Sequence, residues 1–122
     1  MKDFKGTEAV VERAITLVAT EFMREFNKED DVLYDAEKNL FYMYQHKMFT
    51  ILENHRIQNN LDIPDKNTLK QHFKENMEQG NGLIVDMNKA TRINGRCTRC
   101  IVLDLNKISD YIKIDLMTIT RG

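Results

Sequence analysis

The 122 residues carry 42% apolar and 30% charged side chains and a formal net charge of −1. That composition supports one small folded domain and excludes a disordered chain or a two-lobed enzyme with a cleft between its lobes. No run of about 18 apolar residues is present, so no membrane span is expected. The absence of a basic-then-apolar leader, together with only two cysteines, predicts reduced thiols and a cytoplasmic chain.

The charge is uneven. Residues 1–60 hold 8 basic and 11 acidic side chains, whereas residues 61–122 hold 10 basic and 8 acidic. Within the second half, the stretch from Met87 to Arg99 carries Lys89, Arg92, Arg96 and Arg99 and no acid. An anionic partner should meet the chain there.

Thr7 to Asn27 has the helical period. Val11, Ile15, Val18, Phe22 and Phe26 recur at three- and four-residue spacing, and Thr7 is placed to cap the start. After the charged break Lys28 to Asp31, a second helix is predicted from about Asp35 to Asn59, with a break near Tyr44–His46. Leu40, Tyr44, Met48, Ile51, Leu52 and His55 would hold its inner side. His46 and His55 lie nine residues apart, about 180° around a helix, so this segment alone cannot join them in one metal site. The acid run Glu29, Asp30, Asp31 lacks the glycine and interleaved spacing of a calcium loop and reads as a solvated helix end. A nuclease site built on the acids between Glu29 and Glu37 ranks last among the functional readings.

Asn59 to Asp65, with the single proline at position 64, marks a turn. A short helix follows from about Lys66 to Gln79, with Asp65 as N-cap and Leu69, Phe73 and Met77 inward. Asn67, Lys70, Gln71, Lys74 and Glu78 face out, and Gly80-Asn81-Gly82 ends the helix. Leu83–Val85 and Ile101–Leu103 then bracket Asn94-Gly95, the dipeptide of a two-residue type I′ hairpin turn. In the tail, alternation of Ile112, Ile114 and Leu116 with Lys113 and Asp115 favours a strand, although Ile108, Tyr111 and Ile112 also permit a helical turn.

Cys97-Thr98-Arg99-Cys100 has redox or half-zinc spacing, but no second ligand pair exists. On a strand, a separation of three places the two thiols on opposite faces, so both read as structural. No hydrolase, phosphate-loop or zinc-protease motif is present. The expectation is a non-catalytic protein with no cofactor and no metal.

Helix, helix, turn, short helix and basic hairpin, in that order, predict an α+β, mostly α fold: a winged helix-turn-helix with an N-terminal helical extension. Residues 1–60 form the extension, and residues 61–122 form the helix plus β-hairpin wing. A helix of this width fills a major groove, where amides and cations read base edges. A basic hairpin beside it lies along phosphates. The expected DNA-contacting residues are Lys66, Asn67, Lys70, Gln71 and Lys74 on the helix, with Lys89, Arg92, Arg96 and Arg99 on the wing.

The segment from Leu61 to Leu105 contains IPDKNTLKQHFKEN and GLIVDMNKATRINGRCTRCIVLDL. It resembles the C-terminal winged-helix region of primase–helicases from phages, plasmids and mobile islands. The wing pattern Lys-x-x-Arg-hydrophobic-Asn-Gly falls on Lys89, Arg92, Ile93, Asn94 and Gly95, and Arg99, Cys100, Ile101 and Val102 carry the strand that follows. The resemblance implies a DNA-binding module of a replication or mobile-element protein, partnered by DNA and by helicase or primase domains of the same or another chain. The alternative is a small phage or mobile-element module that binds or inhibits a protein target.

Overall fold

The computed structural model describes residues 6–80 and 82–120. Its first helix, α1 (Gly6–Leu17), opens the described chain and continues through one wide π turn (Val18–Phe22) and one tight 3-10 turn (Met23–Glu25). The apolar stripe anticipated from the sequence is the buried one: Val11, Ala14, Ile15, Val18, Phe22 and Phe26 all face the core. Thr16 and Thr20 each return their hydroxyl to the carbonyl four residues back, at 2.7 Å, beside the point where the helix widens. Thr7 lies inside α1 rather than capping it. Its hydroxyl donates to Glu75 Oε2 at 2.9 Å and so ties α1 to a later helix.

The expected helix from Asp35 is instead a hairpin followed by a helix. Strands β1 (Val32–Asp35) and β2 (Leu40–Tyr44) precede α2 (Gln45–Asn59). Leu40 and Tyr44 do fit a helical period, but the stretch Leu40-Phe41-Tyr42-Met43-Tyr44 also alternates. Phe41 and Met43 are fully buried, while Leu40, Tyr42 and Tyr44 are half-exposed. Aromatic density and a left-handed Asn39 (φ 55°) decide for the strand. The 1–60 segment is therefore not wholly helical, since it supplies half of a sheet.

Helix α3 (Lys66–Glu78) matches expectation, with Asp65 accepting from Thr68 N–H at 3.4 Å and from its hydroxyl at 2.8 Å. Leu69 and Phe73 are buried, and Phe73 meets Phe49 of α2 edge-on at 5.2 Å. Asn76 is buried as completely as they are.

Strands β3 (Ile84–Ile93) and β4 (Arg96–Asp104) form the anticipated hairpin, with Ile93 opposite Arg96 and left-handed Asn94 (φ 51°) and Gly95 (φ 78°) between them. The tail departs from its expected strand: it is helix α4 (Asp110–Thr120). Ile112 and Leu116, four apart, are buried, and Ile114 between them is 61% exposed, so the core selects the helical period over the alternating one.

The fold is α+β, with helix outweighing strand and a four-stranded antiparallel sheet in the order β1-β2-β4-β3. β4 pairs with β2 only from Cys100 to Asp104. Residues 96–99 and the turn before them therefore project past the end of β2, with β3 as their one strand partner.

Candidate functional site

Where β2 stops, a cleft of about 670 Å³ opens between the first turn of α2, the middle of α3, the projecting part of the β3–β4 hairpin and the loop before β1. Three of the anticipated DNA-contacting residues line it: Lys70 from α3, and Arg96 and Arg99 from β4. The Lys70 ammonium sits 5.6 Å from the Phe49 ring centroid. Arg99 donates through Nη1 to the Asn88 carbonyl at 3.4 Å. Among the described residues, no carboxylate lies within ion-pair distance of Lys70, Arg96 or Arg99.

The cleft contains acids, and both are engaged. Asp31 is buried, accepting from Lys47 Nζ at 2.7 Å and from the Asn27 N–H at 2.7 Å. Its place in an acidic run suggested a solvated helix end, a reading that the burial corrects. Asp30 accepts from Asn94 Nδ2 at 2.9 Å, which fastens the hairpin tip to the loop before β1. A second tie joins β3 to α2: the Asn88 N–H donates to Gln45 Oε1 at 2.6 Å. The first turn of α2 contributes Gln45, His46 and Lys47 to the lining, and Tyr44 at its N-cap makes no side-chain cap. A helix N-terminus of this kind brings partial positive charge and N–H donors.

The remaining anticipated residues lie elsewhere. Asn67 and Lys74 are exposed on α3, three before and four after Lys70, and extend its ridge away from the cleft. Lys66 begins that helix, its N–H donating to Glu53 Oε2 at 3.3 Å. Gln71 is exposed on α3 and donates to Glu75 of the same helix at 3.4 Å. Lys89 and Arg92 border a separate, shallower groove of about 520 Å³ beside Asp35, Glu37 and Tyr42. The four hairpin cations thus divide into two pairs on two concavities.

Cys97 and Cys100 are free thiols on opposite faces of β4, the first exposed in the cleft and the second buried. Burial pushes the Cys100 thiol above its ordinary value, outweighing a hydrogen bond with Thr91. His55 stacks on Phe22 with ring centroids 4.2 Å apart and bonds Glu25 Oε2 at 2.8 Å, a packing role far from His46. No group of three or more His, Cys, Asp or Glu among the described residues is arranged to hold a metal ion. No helix among them is long and apolar enough to cross a membrane.

Asp31, Gln45, His46, Lys47 and Asn88 were not anticipated at the site. They flank the segments whose local structure the sequence disguised: Asp31 directly precedes the β1–β2 hairpin, Gln45, His46 and Lys47 open α2 directly after it, and Asn88 lies in an irregular part of β3. No family model, no curated protein and no solved structure matches this chain.

Proposed function

We propose that the protein is a non-catalytic DNA-binding module that grips backbone phosphate in the cleft between α2, α3 and the hairpin. The observation that carries this reading is the convergence of Lys70, Arg96 and Arg99 on one concavity without carboxylate partners. Cations placed this way gain little for the fold, because exposed charges contribute almost nothing to stability in water. Against phosphate each would release condensed counterions and form charge-assisted hydrogen bonds. In this reading the projecting residues 93–99 act as the wing, and α3 lies beside it with Asn67 and Lys74 continuing the contact surface. The replication or mobile-element setting belongs to the same proposal and rests on the resemblance of residues 61–105.

The test is the salt dependence of DNA affinity. For the parent protein, log affinity should fall linearly with log salt. Each of Lys70→Ala, Arg96→Ala and Arg99→Ala should lower the slope by about 0.7–0.9. The pair Lys89→Ala with Arg92→Ala should leave most of the slope in place. A parent that binds no DNA at low salt, or triple-variant binding equal to the parent's, overturns the reading in favour of a protein target.

A further inference from the structure

We infer that the cleft receives the terminal phosphate of a nucleic acid strand rather than an internal phosphodiester. This inference rests on the DNA-binding reading above and specifies its ligand. The position of the backbone is the first reason. The Asn94–Asp30 hydrogen bond holds the hairpin tip to the loop before β1, and the Asn88–Gln45 bond holds β3 to α2. These ties bring backbone against the cleft on two sides and narrow the path of a strand that would cross it.

Charge is the second reason. An internal phosphodiester carries a single negative charge, whereas a terminal phosphate monoester carries about −1.5 to −2 at neutral pH and three acceptor oxygens. The lining carries Lys47, Lys70, Arg96 and Arg99 against Asp30 and Asp31, a formal charge of +2, with the positive end of α2 beside them. That balance suits a monoester dianion and exceeds what one diester neutralises.

The third reason is the distribution of that charge. Asp30 and Asp31 lie on the loop side of the cleft. Asp31 is buried and paired with Lys47, but Asp30 is held by the neutral Asn94 amide, so a strand continuing across the pocket would carry its next phosphate past the Asp30 carboxylate. A strand that ends in the pocket leaves by the side from which it entered, along the α3 ridge of Lys66, Lys70 and Lys74, and avoids it.

Cys97 supplies a local reporter. It is exposed in the cleft, while Cys100 is buried, so an aqueous thiol reagent reads the site at one atom. The experiment measures the folded protein against three short single strands of one sequence, bearing a 5′-phosphate, a 3′-phosphate or hydroxyl at both ends. One phosphorylated strand should bind at least about tenfold more tightly than the hydroxyl-ended strand, the scale of an added charge-assisted contact. It should also slow labelling of Cys97, and Arg96→Ala with Arg99→Ala should abolish the preference. The two phosphorylated arms identify which end is held. Equal binding of all three strands overturns the inference and leaves the DNA-binding reading standing. A preference without protection of Cys97 also overturns it, because the end is then held elsewhere. Failure of every strand to bind overturns both.

Discussion

Gly82→Ala tests a close contact between the chain before β3 and α3. A Cβ at position 82 would stand 2.5 Å from Asn76 Oδ1 and 2.8 Å from both Asn76 Cγ and Nδ2. Contacts that short require movement, and Asn76 is poorly placed to move. It is 0% exposed, and its Oδ1 accepts the Ile84 N–H at 2.9 Å, fixing the first residue of β3 to α3. Displacing that side chain strands a buried N–H, at about 1–3 kcal/mol, and overpacks its surroundings, at about 1–3 kcal/mol. The expected loss is about 2–6 kcal/mol together. At about 4 °C per kcal/mol for a chain of this size, the unfolding midpoint should drop by about 8–24 °C. The assay is a double-mutant cycle in urea with Asn76→Ala. With the obstacle removed, Gly82→Ala should cost little more, so the two losses fall well short of additive. Additive losses, or a single-variant loss below about 0.5 kcal/mol, would refute the reasoning.

Gly95→Val probes a glycine limited by backbone rather than by space. Nothing lies within 4 Å of the added Cβ, but φ is +78°, so a loss of about 1–3 kcal/mol in urea unfolding is expected from strain alone. Cys100→Ala should flatten the alkaline limb of the stability curve. The folded thiol titrates above its ordinary 9.0, so the unfolded chain ionises first and stability falls as pH rises beyond that value. Denaturant titrations from pH 8 to about 10 measure it. Asp65→Ala should lower the melting temperature by a few degrees at neutral pH, and the difference should shrink as the pH is taken below the usual carboxylate range. The hydrogen bonds from Thr68 hold the Asp65 carboxyl below its usual range, and the cap is lost as pH falls through that lowered value.

The elements legible in the sequence are those whose signals are local and unopposed. Asp65 before α3, Gly80 after it and Asn94-Gly95 between strands each dictate a backbone conformation within a few residues. The opposite strand faces of Cys97 and Cys100 followed from spacing alone. The misread elements carry two periods at once. Leu40 to Tyr44 satisfies both a helical and an alternating pattern, as does Ile112 to Leu116, and tertiary packing resolves the two cases in opposite directions. Asn76 gave no signal, because its burial depends on a glycine six residues later and a strand that starts after it. The cleft was half legible for the same reason. Lys70, Arg96 and Arg99 stand out as cations, but Asp31, Gln45 and Lys47 join them only once β2 is known to stop at Tyr44.

The two outer strands of the sheet bear on how the protein behaves at high concentration. β1 is four residues long, and β3 is ten residues long but irregular, with register shifts between Ile84 and Asp86 and between Asp86 and Lys89 and a left-handed Asn88 (φ 55°) inside it. A short edge gives an incoming strand few groups to pair with, and a bulged edge bearing a lysine interrupts the ladder. Such edges offer a second copy of the chain few consecutive groups to pair with. Deleting Asn88 removes a residue from the irregular stretch and should leave a straighter β3, with self-association rising with concentration in sedimentation. The same kink that carries the Asn88 N–H to Gln45 also interrupts the edge on which a further strand would pair.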